Sequence, residues 1–509
     1  LNLVSMRLKH FSLLVFFLLA SGSVGTCFGQ NQNSIWCFGD SSGIDFSSGS
    51  AQNFVASLVS RGTCASIADD QGQILFYAGT RALPNIGVRT GIVYNRLNQK
   101  TPNGDTLMGS GWYNEMMILP FPSDPYLYYL ITAHGTPASY KGIYYSVIDV
   151  RVDGGMGDIV QKNVMISSIK PWDALAAVRH ANGRDWWVVA REFVDTIASG
   201  GNRFHVFLVD PNGITASSQA IGLSRYGDLG NLTFSPQGDR LLFTSYNGII
   251  ALFDFDRCTG TLSNQVIIDQ QNTDVGYVGA CFSPNGQRIY VSTNNEESVL
   301  YQFDLTAPVI RYTQLPLDTN RECLYSGGQL RLAPDGKVYW SSIWYNGHQF
   351  PYPYQDTMYH PVNTHLSVIN DPDALGTACN YVRYGHYLGG TRTYLGLPNN
   401  PDYSLGPVAG SICDSLTTNV TAPPLQEAAL HLFYHPDWKQ LFVNASGIKG
   451  TQGQLQLYNT TGALLHTEPA SIQPPYYTRQ LDLSDLAQGV YILVLQTNTE
   501  RLSGRFVKP

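Results

Sequence analysis

Three stretches of the chain share one pattern: FSPQGDRLLFTS at 234–245, FSPNGQRIYVST at 282–293 and LAPDGKVYWSS at 332–342. In each, a proline is followed two residues later by a glycine, and the three glycines lie 48 and 50 residues apart. The proline presets φ for a turn, and the glycine relieves strain where φ is positive. A repeat of this length is typical of a β-propeller, in which each unit is one blade.

The residues around these turns predict the other strands of a blade. An apolar, β-branched or aromatic stretch follows each turn, as expected for a half-buried strand. Further along, LFDFD at 252–256 matches LYQFD at 300–304 in the next unit. Each unit therefore predicts strand, turn, strand, loop and strand.

Weaker copies of the turn lie upstream, around Gly72, Asp124 and Gly183. With the three clear copies they make six units. The stretch from Tyr381 to Tyr403 is predicted to complete a seventh with the N-terminal strand around Trp36–Phe38, because pairing the two chain ends removes exposed sheet edges. The sequence thus predicts an all-β protein with a WD40-like propeller of seven blades, six and eight being the alternatives.

The composition changes after the last repeat. SLTTNVTAPPLQEA at 415–428 is rich in Thr, Pro and Ala and predicts a linker. Beyond it, Gln440–Val443, Gln454–Tyr458 and Val490–Leu495 alternate apolar and polar residues. We expect the propeller to occupy 30–414 and a small antiparallel β-sandwich to occupy 429–509.

The N-terminal residues predict export. Arg7 and Lys9 precede the apolar run Phe11–Ala20, and small residues follow, which is the pattern of a signal peptide over 1–29. No later segment reaches the length of a transmembrane helix. The predicted location is therefore extracellular or on the outer cell surface.

Charge and cysteine content exclude some classes of partner. The formal net charge is −7 and no Lys/Arg run stands out, so nucleic-acid binding is not predicted. The eight cysteines are scattered without a CxxC pair, and no histidines have a metal-binding spacing, so no metal site is predicted. Export permits disulfides, although spacing alone does not assign their pairs.

The C-terminal segment carries a recognisable set of patterns. These are LQLYNTTGALLHT at 455–467, LDLSDLAQGVYILVLQT at 481–497 and FVKP at 506–509. Roughly 425–509 resembles the type A sorting domain of the type IX secretion system of Bacteroidetes. The resemblance implies that secretion machinery and a sortase-like protease are partners, with the cut in 415–428. The matching positions are Gly462, Leu486, Gly489, Tyr491 and Lys508. Where the family often has Tyr-Pro-Asn-Pro, this chain has Tyr-His-Pro-Asp at 434–437.

The preceding region has a second resemblance. WCFGDSSGIDF at 36–46, IADDQGQILFY at 67–77, INDPDALGTACNY at 369–381 and LGLPN at 395–399 carry it. It is similar to the N-terminal propeller-like region of large exported Bacteroidetes proteins, some of them gliding-motility-associated. That resemblance implies a surface role and no defined reaction.

An insertion in the last repeat holds the candidate ligand residues. WYNGHQFPYPYQDTMYHP at 344–361 extends this unit by about 16 residues and is rich in aromatic rings. Loops on a rigid scaffold often carry function, and aromatic rings stack on sugars or anchor protein partners. We predict that Trp344, Tyr345, Tyr352 and Tyr354 bind a glycan or a surface protein. A loop that simply packs on its own blade is the alternative.

Other candidate chemistry is weaker. Asp69-Asp70 and the pair Asp371 and Asp373 could bind Ca²⁺, although turn capping explains them better. FGDS at 38–41 resembles the nucleophile block of GDSL hydrolases, but no Asp-x-x-His follows near the end of the propeller region. We therefore expect a secreted binding protein, with a channel enzyme of hydrolase or lactonase type and a structural part of a surface or gliding apparatus as alternatives.

Overall fold

The structure is a computed structural model that describes residues 31–82, 89–109, 113–134, 142–194, 201–224, 230–271, 275–345, 352–414 and 427–509. The predicted signal peptide, and most of the predicted linker, lie outside these residues. The described chain is built almost entirely of antiparallel strands. Its helical turns are Val152–Gly155, Ile310–Thr313, Pro361–Thr364 and Gly376–Cys379.

Seven sheets follow one another from 35 to 387 and form the blades of a propeller, which confirms the predicted fold. Within the described residues, blades 1 and 2 each have three strands: β1 Ile35–Phe38, β2 Asp40–Asp45, β3 Gln52–Val59, β4 Cys64–Ala68, β5 Ile74–Ala82 and β6 Arg89–Asn95. Blades 3 and 4 have four each: β7 Met116–Pro120, β8 Leu127–His134, β9 Gly142–Asp149, β10 Asp158–Ser167, β11 Pro171–Arg179, β12 Trp186–Glu192, β13 Arg203–Asp210 and β14 Gly213–Ala220.

Blades 5 to 7 contain the three clear repeats. Their strands are β15 Gly230–Phe234, β16 Arg240–Ser245, β17 Ile249–Asp256, β18 Thr261–Gln270, β19 Tyr277–Phe282, β20 Arg288–Thr293, β21 Ser298–Asp304, β22 Leu315–Asn320, β23 Gly327–Leu332, β24 Val338–Ser342, β25 His365–Ile369 and β26 Tyr381–Tyr387. In every four-stranded blade, the first strand in sequence lies at one edge of the sheet and faces the central channel. All six residues of β19 are buried, because neighbouring blades cover both of its faces.

The ring of blades is closed by a segment that the sequence pattern did not predict. Tyr381–Tyr387 is the outer strand of blade 7 and not part of the blade formed by Trp36–Phe38. The residues after it, 391–400, instead run down the channel between β23 and β4. The N–H of Gln329 donates to Leu395 O at 2.7 Å, and the N–H of Asn399 donates to Cys64 O at 2.8 Å. An antiparallel bridge between Asp40 and Arg392 attaches this segment to blade 1.

We call residues 391–414 the closing segment. It crosses the end of the channel where the repeat turns lie, and blades 4 and 5 hold it there. Arg179 donates to Tyr403 O at 2.9 Å, and Arg257 donates to Gly406 O at 2.5 Å. A disulfide between Cys258 and Cys413 fixes its end. The other five cysteines of the described chain are buried and free.

A separate β-sandwich follows. One sheet has the order β27-β28-β31 and the other β30-β29-β32-β33. Its strands are β27 Ala429–His435, β28 Gln440–Ser446, β29 Gln452–Asn459, β30 Leu464–Ser471, β31 Tyr476–Asp482, β32 Gly489–Thr497 and β33 Arg501–Lys508. The alternation noted in the sequence places Leu441, Leu455, Leu457, Leu493 and Leu495 in a common core.

The repeat turns offer a matched test of the propeller. Gly238 and Gly336 both have positive φ, 72° and 77°. A Cβ on Gly238 would lie 2.6 Å from Val178 Cγ2, whereas one on Gly336 meets nothing within 4 Å. Alanine at either position costs about 1 kcal/mol for the backbone. Overpacking adds about 1 to 3 kcal/mol at Gly238. Thermal melts should therefore show a larger loss for Gly238→Ala than for Gly336→Ala, and equal losses would contradict this packing.

Candidate functional site

The four predicted ligand residues lie at one end of the channel, on the loop between the second and third strands of blade 7. This is the end opposite the repeat turns, and we call it the loop end. Residues 346–351 of the loop, with Phe350, lie outside the described residues. The four side chains have different surroundings: Tyr354 is 6% exposed, and the other three are half-buried.

Tyr354 and Tyr352 anchor the loop. The Tyr354 ring stacks on Tyr394, with ring centroids 4.2 Å apart. Its hydroxyl donates to Thr393 O and accepts the Trp344 N–H, both at 3.1 Å. The Tyr352 hydroxyl donates to Val59 O at 2.9 Å. These contacts clamp the loop onto the channel wall, as the packing alternative expects.

Trp344 and Tyr345 lie at the start of the same loop and are held by their own contacts. Trp344 stacks on His360 with ring centroids 5.3 Å apart, and the Tyr345 N–H donates to Cys323 Sγ at 3.1 Å. Burial raises the pKa of the Tyr345 phenol, and the nearby Tyr325 contributes in the same direction. Tyr325 is 40% exposed. The loop end therefore carries partly exposed aromatic rings on fixed backbone.

Behind these rings the channel is polar and buried. The Glu115 carboxylate accepts the Tyr113 N–H at 2.7 Å and a short hydrogen bond from the Thr63 hydroxyl. Asp173 and Arg61 are also buried, beside Tyr113. These residues are scattered over more than 100 positions of sequence, so no local pattern marks them as a group.

Amide side chains fill the middle of the channel. Asn114 donates to Asn231 in a short hydrogen bond and to Gln329 Oε1 at 3.3 Å. Asn399 donates to Leu175 O at 3.0 Å and to Asn114 O at 3.2 Å. Because each amide both donates and accepts, the network fixes the inner strands against one another without an ion pair.

The carboxylates considered for Ca²⁺ cap turns. Asp69 accepts the N–H groups of Gln71 and Gln73 at 2.9 Å. Asp373 accepts the Asn285 N–H at 3.0 Å, and Asp371 accepts from Asn380 at 3.2 Å. Among the described residues, no group of three or more His, Cys, Asp or Glu side chains is placed to hold a metal ion. Nor does any described helix have the length and apolarity to cross a membrane.

The predicted sorting residues lie at one end of the sandwich. Lys508 is 8% exposed, and its ammonium donates to Leu483 O at 2.7 Å and to Leu486 O at a shorter distance. The Tyr491 hydroxyl donates to Ala487 O at 2.7 Å. The terminal strand thus holds the loop before Gly489. Gly462, with φ of 81°, lies in the β29–β30 turn at this same end, where Asn459 pairs with Tyr491.

The sandwich packs against the outer strand of blade 3. Asn444 forms a reciprocal pair with the backbone of Lys162: its Oδ1 accepts the Lys162 N–H at 2.7 Å, and its Nδ2 donates to Lys162 O at 2.5 Å. An amide side chain therefore satisfies an edge strand, which otherwise presents unpaired backbone groups. Tyr144 packs on Phe433 beside it, and Tyr476 joins the core of blade 3. Nothing in the sequence distinguishes Asn444 from other strand asparagines.

Two buried histidines lie near each other across this contact. His134 of blade 3 and His435 of the sandwich are 3% and 1% exposed, and burial lowers the pKa of each to about 4. Their mutual repulsion when charged lowers the His134 pKa further, while Asp437 opposes it. His435 stands where the sorting family often has proline, and its ring stacks on Trp438 at 4.0 Å.

Because of these two histidines, we expect the contact between the sandwich and blade 3 to weaken at acidic pH. A histidine whose folded pKa lies below its unfolded value of about 6.5 resists protonation, so its stabilisation is complete above pH 6.5 and is lost as pH falls towards 4. Calorimetry of the full chain should show the melting temperature of the sandwich falling over this pH range. The free energy of unfolding should fall by an amount on the order of a few kcal/mol. The double variant His134→Gln with His435→Gln should flatten the curve, whereas His466→Gln, at an exposed site, should not. An unchanged slope in the double variant would contradict this account.

The described chain is a seven-bladed β-propeller followed by a β-sandwich. Residues 435–509 match the family described as "Secretion system C-terminal sorting domain". This confirms the predicted type IX sorting domain, and the domain indicates export to the outer surface or the exterior. No curated protein matches the chain.

Several solved propellers resemble it distantly. A candidate 6-phosphogluconolactonase from Bacteroides fragilis is 11% identical, with a TM-score of 0.42 over 72% of this chain and 98% of that one. A second, from Bacteroides uniformis, is 15% identical, with a TM-score of 0.40 over 61% and 89%. The β-propeller domain of Cps50 (Swd1) from Myceliophteria thermophila is 12% identical, with a TM-score of 0.36 over 61% and 94%. Similarity at this level carries no argument about activity.

Proposed function

We propose that this protein is a secreted or surface-attached binding module, and that its ligand site is the loop end around Trp344 and Tyr345. The ligand class proposed is a glycan or a surface protein. The observation that carries the proposal is the pair of half-buried aromatic rings held on a backbone that Tyr354 and Cys323 fix. Rigid aromatic rings provide contact area at a low cost in conformational entropy.

The roles of the four aromatic residues divide within this proposal. Trp344 and Tyr345 contact the ligand, while Tyr352 and Tyr354 position them. Leu324 and Tyr325 extend the same surface, being 49% and 40% exposed. If all four rings had the same role, replacing any of them would affect affinity alone. Here, replacing Tyr352 or Tyr354 should lower the stability of the loop as well as the affinity for the ligand.

Binding to a glycan array provides the test, using the full exported chain with and without Ca²⁺. The double variant Trp344→Ala with Tyr345→Ala should lose at least tenfold in affinity, because stacking contacts of this kind contribute about 1 to 3 kcal/mol. Its melting temperature should stay close to that of the unaltered chain, since both rings are half-buried.

Two further variants serve as controls for this test. Tyr354→Phe removes only the hydroxyl that holds the Trp344 backbone, and should weaken binding less than the double variant. Tyr312→Ala removes an aromatic ring that is 85% exposed and lies outside the loop end, and should leave binding unchanged. Saturable binding that the double variant retains in full would refute the loop-end assignment.

We further propose the route of export. The signal peptide at 1–29 directs the chain across the inner membrane, and the sorting domain is then recognised at the outer membrane in a Bacteroidetes cell. A sortase-like protease cuts within 415–428 and attaches or releases the propeller. The sorting match at 435–509 supports this route.

Lys508 allows the sorting surface to be tested without deleting the domain. Lys508→Met removes the ammonium that holds Leu483 O and Leu486 O, so the loop before Gly489 should loosen and secretion into the medium should fall. Arg505→Met removes the same charge from an exposed position on the same strand and should be secreted normally. A chain with 427–509 deleted gives the level of secretion expected when no sorting domain is present. Normal secretion of Lys508→Met would argue against a sorting role for this end of the sandwich.

A channel enzyme is the second candidate, supported by the buried Glu115, Asp173 and Arg61 at the loop end. However, Glu115 already accepts hydrogen bonds from Tyr113 and Thr63, as a structural carboxylate does. The role in a surface or gliding apparatus rests only on the resemblance of 36–400. The binding module therefore accounts for more of the described geometry.

A further inference from the structure

A cavity of about 320 Å³ opens at the end of the channel opposite the loop end. Its walls come from the ends of the inner strands of blades 4 to 7 and from the closing segment. Ser235, Phe282 and Pro334 line one side, and Asn400 and Leu405 line the other. We call it the turn-end cavity, because the repeat turns surround it. Its volume falls within the range of small-molecule sites.

Arg331 of β23 lines this cavity and is 8% exposed. Its Nη2 donates to Asn114 Oδ1 at 2.8 Å and to Asn399 Oδ1 at 2.6 Å. Its Nε has no hydrogen-bond acceptor within the described part of the chain. The amide network of the channel therefore holds the guanidinium in place while leaving donor capacity unused.

Within the described part of the chain, no carboxylate is in contact with Arg331 to neutralise its charge. The ionisable groups that act on it are the thiols of Cys281 and Cys64, which are buried and whose own pKa values are raised by that burial. Burial lowers the pKa of Arg331 to about 10, so it stays cationic at neutral pH. A buried charge without a partner is costly, and the usual remedy is an ion pair.

The walls of the cavity suit a hydroxylated ring. Asn33 and Asn400 provide amide groups, and Phe282 and Leu405 provide apolar surface. Asp402 is the acidic group at the rim. It is exposed, and its Oδ1 accepts from the N–H and hydroxyl of Ser404 at 2.9 and 2.6 Å.

We propose that the turn-end cavity binds a monosaccharide-sized carboxylic acid of the hexuronate class, with its carboxylate on Arg331. Guanidinium suits a carboxylate because it stays charged when buried and donates charge-assisted hydrogen bonds. The amides of Asn33 and Asn400 take the ring hydroxyls, and the apolar wall takes the ring face. The site is independent of the loop end, since it lies at the other end of the channel.

Isothermal titration of the full chain tests this with glucuronate, galacturonate, glucose, acetate and inorganic phosphate. At least one hexuronate should bind saturably, while glucose lacks the carboxylate and acetate lacks the ring, so both should bind at least tenfold more weakly. Arg331→Gln should reduce hexuronate affinity by at least tenfold. Phosphate binding as tightly as hexuronate would overturn the sugar-acid assignment, and no binding of either hexuronate would overturn the site.

Two isosteric variants separate charge from folding. Asn33 Oδ1 accepts from Trp36 and Asn400, so Asn33→Asp keeps both acceptor contacts and adds a negative charge to the cavity wall. It should weaken hexuronate binding, whereas Asn212→Asp adds the same charge on an exposed hairpin and should not. If Arg331→Gln unfolds, Asn33→Asp still decides the matter. Unchanged hexuronate affinity in Asn33→Asp would contradict the proposal, and loop-end glycan binding would be unaffected by that result.

Discussion

The ion pair between Arg392 and Asp40 joins the two ends of the propeller, and the remaining structure depends on it. Arg392 Nε lies 2.8 Å from Asp40 Oδ2, and both backbones form a bridge at the same place. The same guanidinium donates to Gln355 O at 2.7 Å and lies against the rings of Tyr354 and Tyr359. One buried cation therefore closes the ring and also seats the loop that carries the proposed ligand residues. Loss of one partner would leave a buried charge, which is far more costly than a surface pair.

Much of this architecture could be predicted from the sequence because it repeats locally. The Pro-x-Gly turns place a strand boundary in each of three blades, and their spacing alone indicates a propeller. The closing segment could not be predicted in the same way. Residues 391–400 contain Gly, Pro and Asn without strand periodicity, and they are held by partners such as Cys64 and Gln329 that lie far away in sequence. Local propensity carries little information about such a segment, since most of its backbone hydrogen bonds join residues far apart in sequence.

The candidate sites, too, could be predicted from the sequence only in part. The aromatic insertion is visible in the sequence as extra length, yet the separation of Tyr354 as anchor from Trp344 as presented ring requires the stacking on Tyr394. The sorting residues were identified by resemblance, while the reason for Lys508 appears only in its contacts with two carbonyl groups. Arg331 gave no signal at all, because an isolated arginine in a strand usually lies on a solvated face. Its burial follows from a position on an inner strand, which a one-dimensional pattern does not show.

The position of the closing segment has a consequence for the order in which the chain folds. Synthesis proceeds from the N-terminus, so blade 1 exists long before residues 391–400 are made to cover it. Until then the sheets form an open arc with two unpaired edges, a form that other chains can extend. Circular closure and the Cys258–Cys413 crosslink therefore require that residues 35–413 are all present. A product truncated within blade 7 would keep its open edges and an unpaired Cys258, which makes incomplete cargo chemically distinguishable from complete cargo before sorting begins.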